Sequence, residues 1–243
     1  MRLTRIYRPI PLATGSLTPL DERAHQYLTR VMRLSMHDEV VVFNGQGQEH
    51  RAKLTKSAQG HWLLEILEPL PLCPDSPLKL RLVQGISRGE RMDYAIQKAT
   101  ELGVSHLQPV ACERSVVRLK SDQAERRLAH WQAVAIASAE QSKRHSVPVV
   151  LPILPYAEYL SLTATAERIV LDPLAPQSLR EFIPKLPAID LIIGPEGGLS
   201  EAELALAIET KATRLRLGPR VLRTETAAAA AITALQLMHG DLQ

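Results

Sequence analysis

The sequence predicts an α/β protein in two parts: a small barrel-like β module, then a mostly parallel sheet covered by helices. Three observations predict it. A proline-dense stretch, "EPLPLCPDSPLK" at residues 68–79, interrupts the chain with Pro69, Pro71, Pro74 and Pro77. The patterning before it is strand-like, and after it strand-like and helix-like segments alternate. Four prolines this close forbid helix and disfavour a central strand, which leaves a stiff, extended connector. The boundaries read as a β module over 1–70, a linker over 71–77 and an α/β domain over 78–243. At 243 residues, 45% of them hydrophobic, the chain is long enough to fill both cores.

In the first part, "LTRIYR" reads as a short strand and "DERAHQYLTRVMRL" as a short helix. "DEVVVFNGQGQEHRAKLTK" reads as two strands around a turn on Asn44, Gly45 and Gly47, and "HWLLEILE" as a further strand. In the second part, strands are expected at "LKLRLVQGI", "HLQPVAC", "VPVVLPIL", "RIVLDP", "DLIIGP" and "TRLRLG". Helices are expected at "MDYAIQKATELG", "QAERRLAHWQAVAIASAEQSKRH", "YAEYLSL", "PQSLREFIPKL", "SEAELALAIET" and "ETAAAAAITALQLM". Such alternation argues for parallel strands with helices on both faces.

Charge and cysteine usage exclude several classes. Lys and Arg outnumber Asp and Glu by only 29 to 26, so the chain is no polycation. Residues 1–33 nevertheless carry six arginines against Asp21 and Glu22, a basic patch suited to phosphate. Cys73 and Cys112 lack metal-ligand spacing, and none of the eight histidines forms a metal-binding pattern, so no metal is expected. The opening "MRLTRIYRPI" does not read as a signal peptide, and no apolar run is long enough to span a bilayer. A cytoplasmic protein with no membrane partner is expected.

In an open α/β sheet, ligands sit beyond the carboxyl ends of the strands. The segment "LIIGPEGGLSEAE" (191–203) is such an end, running through a glycine turn into a helix. It has neither the G-x-G-x-x-G spacing of a dinucleotide site nor the Lys-Ser/Thr of a P-loop. Glu196 stands in the middle of the turn. Two like charges about 4 Å apart repel by about 4 kcal/mol at an effective dielectric of about 20. A phosphate-bearing cofactor is therefore disfavoured, and a ligand that is neutral or cationic at the loop is favoured. The same residues also admit a purely structural reading, since Ser200 and Glu203 make a capping box. A second Gly-Pro strand end, "LRLGPRVLRTETA", follows about twenty residues later. It could form the other wall of one pocket, or Thr224 could simply cap a helix whose dipole Glu225 complements. Arg223 is harder to explain structurally, because a cation opposes the dipole at a helix N-terminus.

Together these segments carry a resemblance. "LIIGPEGGLSEAE", "LRLGPRVLRTETAAAAAITALQ", "IQKATELGV" (96–104), "AEQSKRHSVP" (139–148), "RIYR" and "RVMRL" resemble the RsmE family of 16S rRNA uracil-N3 methyltransferases, in the SPOUT superfamily. The resemblance implies a PUA-like RNA-binding barrel ahead of a SPOUT α/β domain, a trefoil knot over about 190–243, and a homodimer. It implies S-adenosylmethionine as methyl donor, S-adenosylhomocysteine as product, and 16S rRNA, within the small subunit, as partner. The implied product is m3U1498 of the decoding region. Leu171, Gly194, Glu196, Gly197 and Gly198, with Leu217, Gly218, Pro219, Arg220, Val221 and Leu222, are implied to line the cofactor pocket, mainly through main chain. A sulfonium cofactor without phosphate agrees with a loop that holds Glu196 and no lysine.

Methylation at N3 of uracil requires the N3 proton to leave and negative charge to spread onto O2 and O4. A base near N3–H and a cation near the oxygens help. Glu225 is the candidate base and Arg223 the candidate oxyanion stabiliser. Arg8, Arg30, Arg33, Arg88, Arg114 and Arg144 are the candidate RNA contacts, with Arg2, Arg5 and Arg118 as further phosphate ligands. Arg30 and Arg33 are expected to share a helix face. Tyr7 and Tyr27 could stack on bases or pack in the core. Glu140 and Arg144 could pair along a helix, as could Lys98 and Glu101. Two rival functions remain open at this level: a ribosome-assembly factor without catalysis, and a pseudouridine synthase with a PUA-like module.

Overall fold

The computed structural model describes residues 3–71, 74–115 and 121–242; Arg2, Cys73 and Arg118, singled out above, lie outside them. The chain divides into two compact units, one of residues 1–75 with 139–146, the other of 76–138 with 147–243.

The first unit is built on a five-stranded sheet. β1 (Thr4–Tyr7) runs parallel to β3 (Glu39–Phe43). β3, β4 (Glu49–Lys56) and β5 (Trp62–Pro69) are antiparallel neighbours, and a short β2 (Leu17–Pro19), not expected from the sequence, pairs with β5. The β3–β4 turn is an Asx turn in which Asn44 Oδ1 accepts from Gln46 N and Gln48 N. Alternate residues Val40, Val42, Ala52, Leu54, Leu64 and Ile66 fill the interior beneath Ala24 and Leu28. Asp21 caps α1 (Glu22–His25), which widens into a turn of π-helix over Gln26–Val31.

Residues 139–146 belong to this unit through buried charge. Glu140 accepts from Tyr7 N at 2.8 Å and pairs with Arg23 at 2.8 Å. Arg5 pairs with Glu49 at 2.9 Å and donates to the carbonyls of Ala139 and Arg144. His145 Nδ1 lies 2.6 Å from Glu49. Glu140 thus has Arg23 as an ion-pair partner, and Arg144, expected on the same helix, lies beyond the end of α3 (Ser121–Ser142). Lys98 and Glu101 do pair, at 2.8 Å.

The second unit is a seven-stranded parallel sheet of order β12-β10-β11-β6-β7-β8, with β9 also on β7. Its strands are β6 (Lys79–Gly85), β7 (His106–Ala111), β8 (Val149–Val150), β9 (Leu154–Pro155), β10 (Glu167–Leu171), β11 (Ala188–Ile193) and β12 (Thr213–Leu215). Alternation along the strands loads both faces. Leu80, Leu82, Ile189 and Leu191 pack with α2 (Glu90–Glu101), α3 and α6 (Thr224–His239) through Ile96, Trp131 and Ile232. Val83, Val170 and Ile192 pack with α4 (Tyr156–Ser161) and α5 (Glu201–Glu209) through Tyr159, Leu160 and Ala207. Two expectations fail locally. "VPVVLPIL" splits into β8 and β9 around Pro152, which has no N–H to give a ladder. "PQSLREFIPKL" forms only a 3₁₀ turn at Leu179–Glu181, because Pro184 biases the residue before it away from helix and Phe182 is already extended. No helix among the described residues is long and apolar enough to cross a membrane.

Candidate active site

Order in the sheet reverses at β6: the chain leaves it toward β7 on one side, while β11 flanks it on the other. Such a switch point opens a crevice beyond the strand ends. Here it is a cavity of about 530 Å³, within the range of about 300–1,000 Å³ that encloses a small-molecule ligand.

One wall is the Gly-Pro-Glu-Gly-Gly turn after β11, held from three directions. First, Thr224 Oγ1, in the first turn of α6, donates to Gly194 O at 2.6 Å and accepts from Gln84 Nε2 at 2.8 Å. Second, Arg114 donates from Nη1 to the carbonyls of Gly197 and Leu199 at 3.2 and 3.4 Å. Third, Glu196 Oε1 accepts from Arg88 N at 2.8 Å and from Arg91 Nη1 at 3.2 Å. Burial pushes the Glu196 carboxyl up, but those hydrogen bonds and Arg91 outweigh it and hold the group below the usual range. Glu196 is thus an anion at neutral pH, and its Oε2 is buried with no hydrogen-bond partner. A Cβ at Gly194 would meet Leu199 N at 2.9 Å, so this glycine makes room for the turn's own main chain.

The opposite wall is the loop after β12. Gly218 holds φ of 104°, a conformation that L side chains rarely adopt. Among the described residues, the main-chain N–H groups of Leu217, Gly218, Val221 and Leu222 donate to no other main-chain group, so a ligand could take them up. Arg214 clamps the buried carboxylate of Asp172 at the end of β10. Glu225, one residue into α6, presents a buried Oε2 with no partner. Arg223 is the N-cap residue, exposed, with no capping hydrogen bond from its side chain.

The sequence-predicted pocket residues converge here. Leu171, Gly194, Glu196, Gly197, Gly198, Leu217, Gly218, Arg220, Val221 and Leu222 line the cavity, together with Arg223 and Glu225; Pro219 is not among the lining residues. Sequence reasoning marked the strand end at Leu171 and Asp172 without assigning Asp172 to the cofactor, missed Leu199, Leu204 and Arg91, and gave Thr224 only a capping role. The capping role is a correction: Arg223 is the N-cap, and the Thr224 hydroxyl bonds to Gly194 instead.

The candidate RNA contacts do not form one group. Arg8 is buried, pairs with Asp21 and donates to Pro19 O, so it has no free face for RNA. Arg5 is spent in the same way. Arg144 is half-buried and donates to Ser146 Oγ beside Asp75. Arg114 serves the glycine turn. Arg33 lies past the π-turn at φ of 55°, so it does not share a helix face with Arg30. Arg30, Arg33 and Arg88 are exposed. Tyr7 packs against Phe43 with ring centroids 5.6 Å apart, and Tyr27 against the barrel core. No group of three or more His, Cys, Asp or Glu side chains that could hold a metal occurs among the described residues.

Comparison with known proteins follows the same two-part division. A model of the RNA methyltransferase domain matches residues 74–236, and one of the RNA methyltransferase PUA domain matches residues 20–66. A ribosomal RNA small subunit methyltransferase E from Buchnera aphidicola (subsp. Schizaphis graminum) is 33% identical, over 99% of this chain and 98% of the relative. The chain belongs to the ribosomal RNA small subunit methyltransferase E family. Its sheet is of the SPOUT type. Another member of the methyltransferase E family, from Neisseria gonorrhoeae and crystallised bound to S-adenosyl methionine, is 37% identical with a TM-score of 0.91, each chain covered in full at 100%. A Legionella pneumophila protein in complex with bound SAM is 34% identical with a TM-score of 0.94, again at 100% of both chains.

Proposed function

We propose that this chain transfers a methyl group from S-adenosylmethionine to N3 of one uridine in 16S rRNA, giving m3U1498. The observation that carries the proposal is the cavity beyond β10, β11 and β12. It is lined by the two glycine-containing loops, neither of which is a phosphate loop, and two carboxylate oxygens, Oε2 of Glu196 and of Glu225, are buried there without a hydrogen-bond partner among the described residues. A buried carboxylate oxygen without a hydrogen-bond partner is costly unless a ligand group meets it. The bound S-adenosylmethionine of the Neisseria gonorrhoeae and Legionella pneumophila structures supports the same ligand here. Leu171, Gly194, Glu196, Gly197 and Gly198, with the stretch from Leu217 to Leu222, would hold it.

When bound, S-adenosylmethionine supplies an electrophilic methyl group on a positively charged sulfur. The chain's own residues prepare the acceptor. Glu225 accepts the proton of N3–H, and Arg223 donates to the carbonyl oxygen on which charge collects. Thr224 stands between them and fixes the turn of helix that carries both. N3 lies on the pairing edge of uracil, so the target base must be unpaired or turned out of its stack. The first unit is assigned to RNA docking and the second to methyl transfer. The chain works as a cytoplasmic homodimer, with a knot over about 190–243.

The test is incubation with labelled S-adenosylmethionine and small ribosomal subunits lacking the modification, followed by nucleoside mass mapping. N3-methyluridine at a single site is expected. Label on ribose, on cytidine or on protein would overturn the assignment, and turnover without the cofactor would favour a different RNA-modifying enzyme.

A further inference from the structure

Three departures from ordinary structure fall together in the first unit. The helix begun at Glu22 widens to a π-turn at Gln26–Val31, with Met32 N reaching back to Tyr27 O at 2.9 Å. Arg33 and His37 then hold φ of 55° and 77°, a left-handed conformation that strains any residue but glycine. Val31, Met32 and Met36, in the same stretch, expose 66%, 41% and 47% of their surface.

This segment is held rather than slack. Leu34 N donates to Leu28 O at 2.9 Å, His37 N to Leu54 O at 2.8 Å, and Ser35 N to Asp38 Oδ2 at 2.7 Å. The scaffold thus keeps large apolar side chains in water and the main chain in costly conformations. Folding alone gives no reason for either. Arg30 and Arg33 are interleaved with the apolar residues and are exposed. Neither is in an ion pair among the described residues, and the nearby Asp38 already accepts from Ser35 N.

We propose that residues 30–37 form a docking edge for an unpaired stretch of RNA. Val31, Met32 and Met36 cover the face of an unstacked base, while Arg30 and Arg33 hold the flanking phosphates. The inference rests on the RNA-methyltransferase reading for its choice of polyanion. Apolar side chains alone would suit a protein partner, but two arginines without acidic partners favour phosphate. Duplex RNA is met through its shape, 2′-hydroxyls and phosphates, whereas unpaired RNA offers an apolar base face beside its charge. A loop already held in its binding shape loses little entropy on docking.

The experiment measures binding of the full chain to a 16S rRNA fragment and to intact small subunits across a salt series. Met32→Ala combined with Met36→Ala should weaken both by about tenfold or more, the order expected from losing the apolar surface that two methionines cover. The slope of log affinity against log salt should not change, because an apolar contact releases no counterion. Arg30→Ala and Arg33→Ala should each flatten that slope by about 0.7–0.9. Cofactor affinity by calorimetry and the thermal midpoint should match the parent in all three variants. Parent-like RNA binding by the double Met variant would overturn the proposal. So would a loss confined to intact subunits, which would assign the edge to a ribosomal protein. A parent chain that binds neither RNA would sink the methyltransferase reading itself, and the docking edge with it.

Discussion

Thr224→Val removes one hydroxyl and keeps the shape of the side chain. That hydroxyl donates to Gly194 O at 2.6 Å and accepts from Gln84 Nε2 at 2.8 Å. Thr224 is 8% exposed and Gln84 2%, so water cannot readily replace either bond. Gln84 Oε1 already lacks a partner, which leaves this amide little means to compensate. A buried polar group left unsatisfied costs about 1–3 kcal/mol. Gln84 Nε2 keeps Gly85 O at 3.1 Å and has Gly194 O at 3.4 Å, which softens one of the two losses. The expected destabilisation is therefore about 2–3 kcal/mol. At about 2–4 °C per kcal/mol for a chain of this size, Tm should fall by about 4–12 °C. Denaturant unfolding should move the midpoint without changing the slope. Because Arg223 and Glu225 flank Thr224, kcat should also fall, by up to about 100-fold for a displacement near 1 Å. Thr224→Ser should recover most of both. A Val variant within 0.5 kcal/mol of the parent, with unchanged kcat, would refute the claim that this hydroxyl locks α6 to the glycine turn.

Gly194→Ala should abolish cofactor binding in calorimetry while the first unit stays folded, because the new methyl meets Leu199 N at 2.9 Å. Arg114→Ala should weaken cofactor affinity by about tenfold, the worth of one charge-assisted bond, and leave the salt slope of RNA binding intact. A lower slope would restore it as an RNA contact. Glu225→Gln should lower kcat by about 10²–10⁴ with little change in cofactor affinity by calorimetry. The folded Glu196 carboxyl titrates below its ordinary value of 4.5, so its stabilising effect is present above that value and lost as pH falls through the folded one. Glu196→Gln should therefore be less stable than the parent at neutral pH, with the difference shrinking below about pH 4.5 in acid titrations followed by circular dichroism.

Much of the fold could be read in advance, for identifiable reasons. Parallel strands such as Leu80–Val83 and Ile189–Ile193 are buried on both faces, and their apolar residues, interrupted only by Arg81 and Asp190, mark them as strands. Where a proline interrupts, at Pro152 and Pro184, pattern and outcome part, because a missing N–H or a restricted neighbour overrides hydrophobicity. The short β2 carries too little signal to find. For the site, the two Gly-Pro strand ends were legible because they are local motifs. The hydroxyl of Thr224, the amide of Gln84 and the guanidinium of Arg114 meet the turn from 30, 110 and 83 positions away. No spacing rule reaches that far. The arginines misread most were Arg5, Arg8 and Arg144. Sequence shows their charge, but only the fold shows that carboxylates and carbonyls already occupy it.

The most direct measurement is a crystal of the full chain soaked with S-adenosylmethionine. The ligand should lie between the turn at Gly194–Gly198 and the loop at Leu217–Leu222, with its sulfur facing the rim that carries Arg223 and Glu225. Density for it anywhere else, or those two loops closed on each other with no ligand bound, would contradict the account.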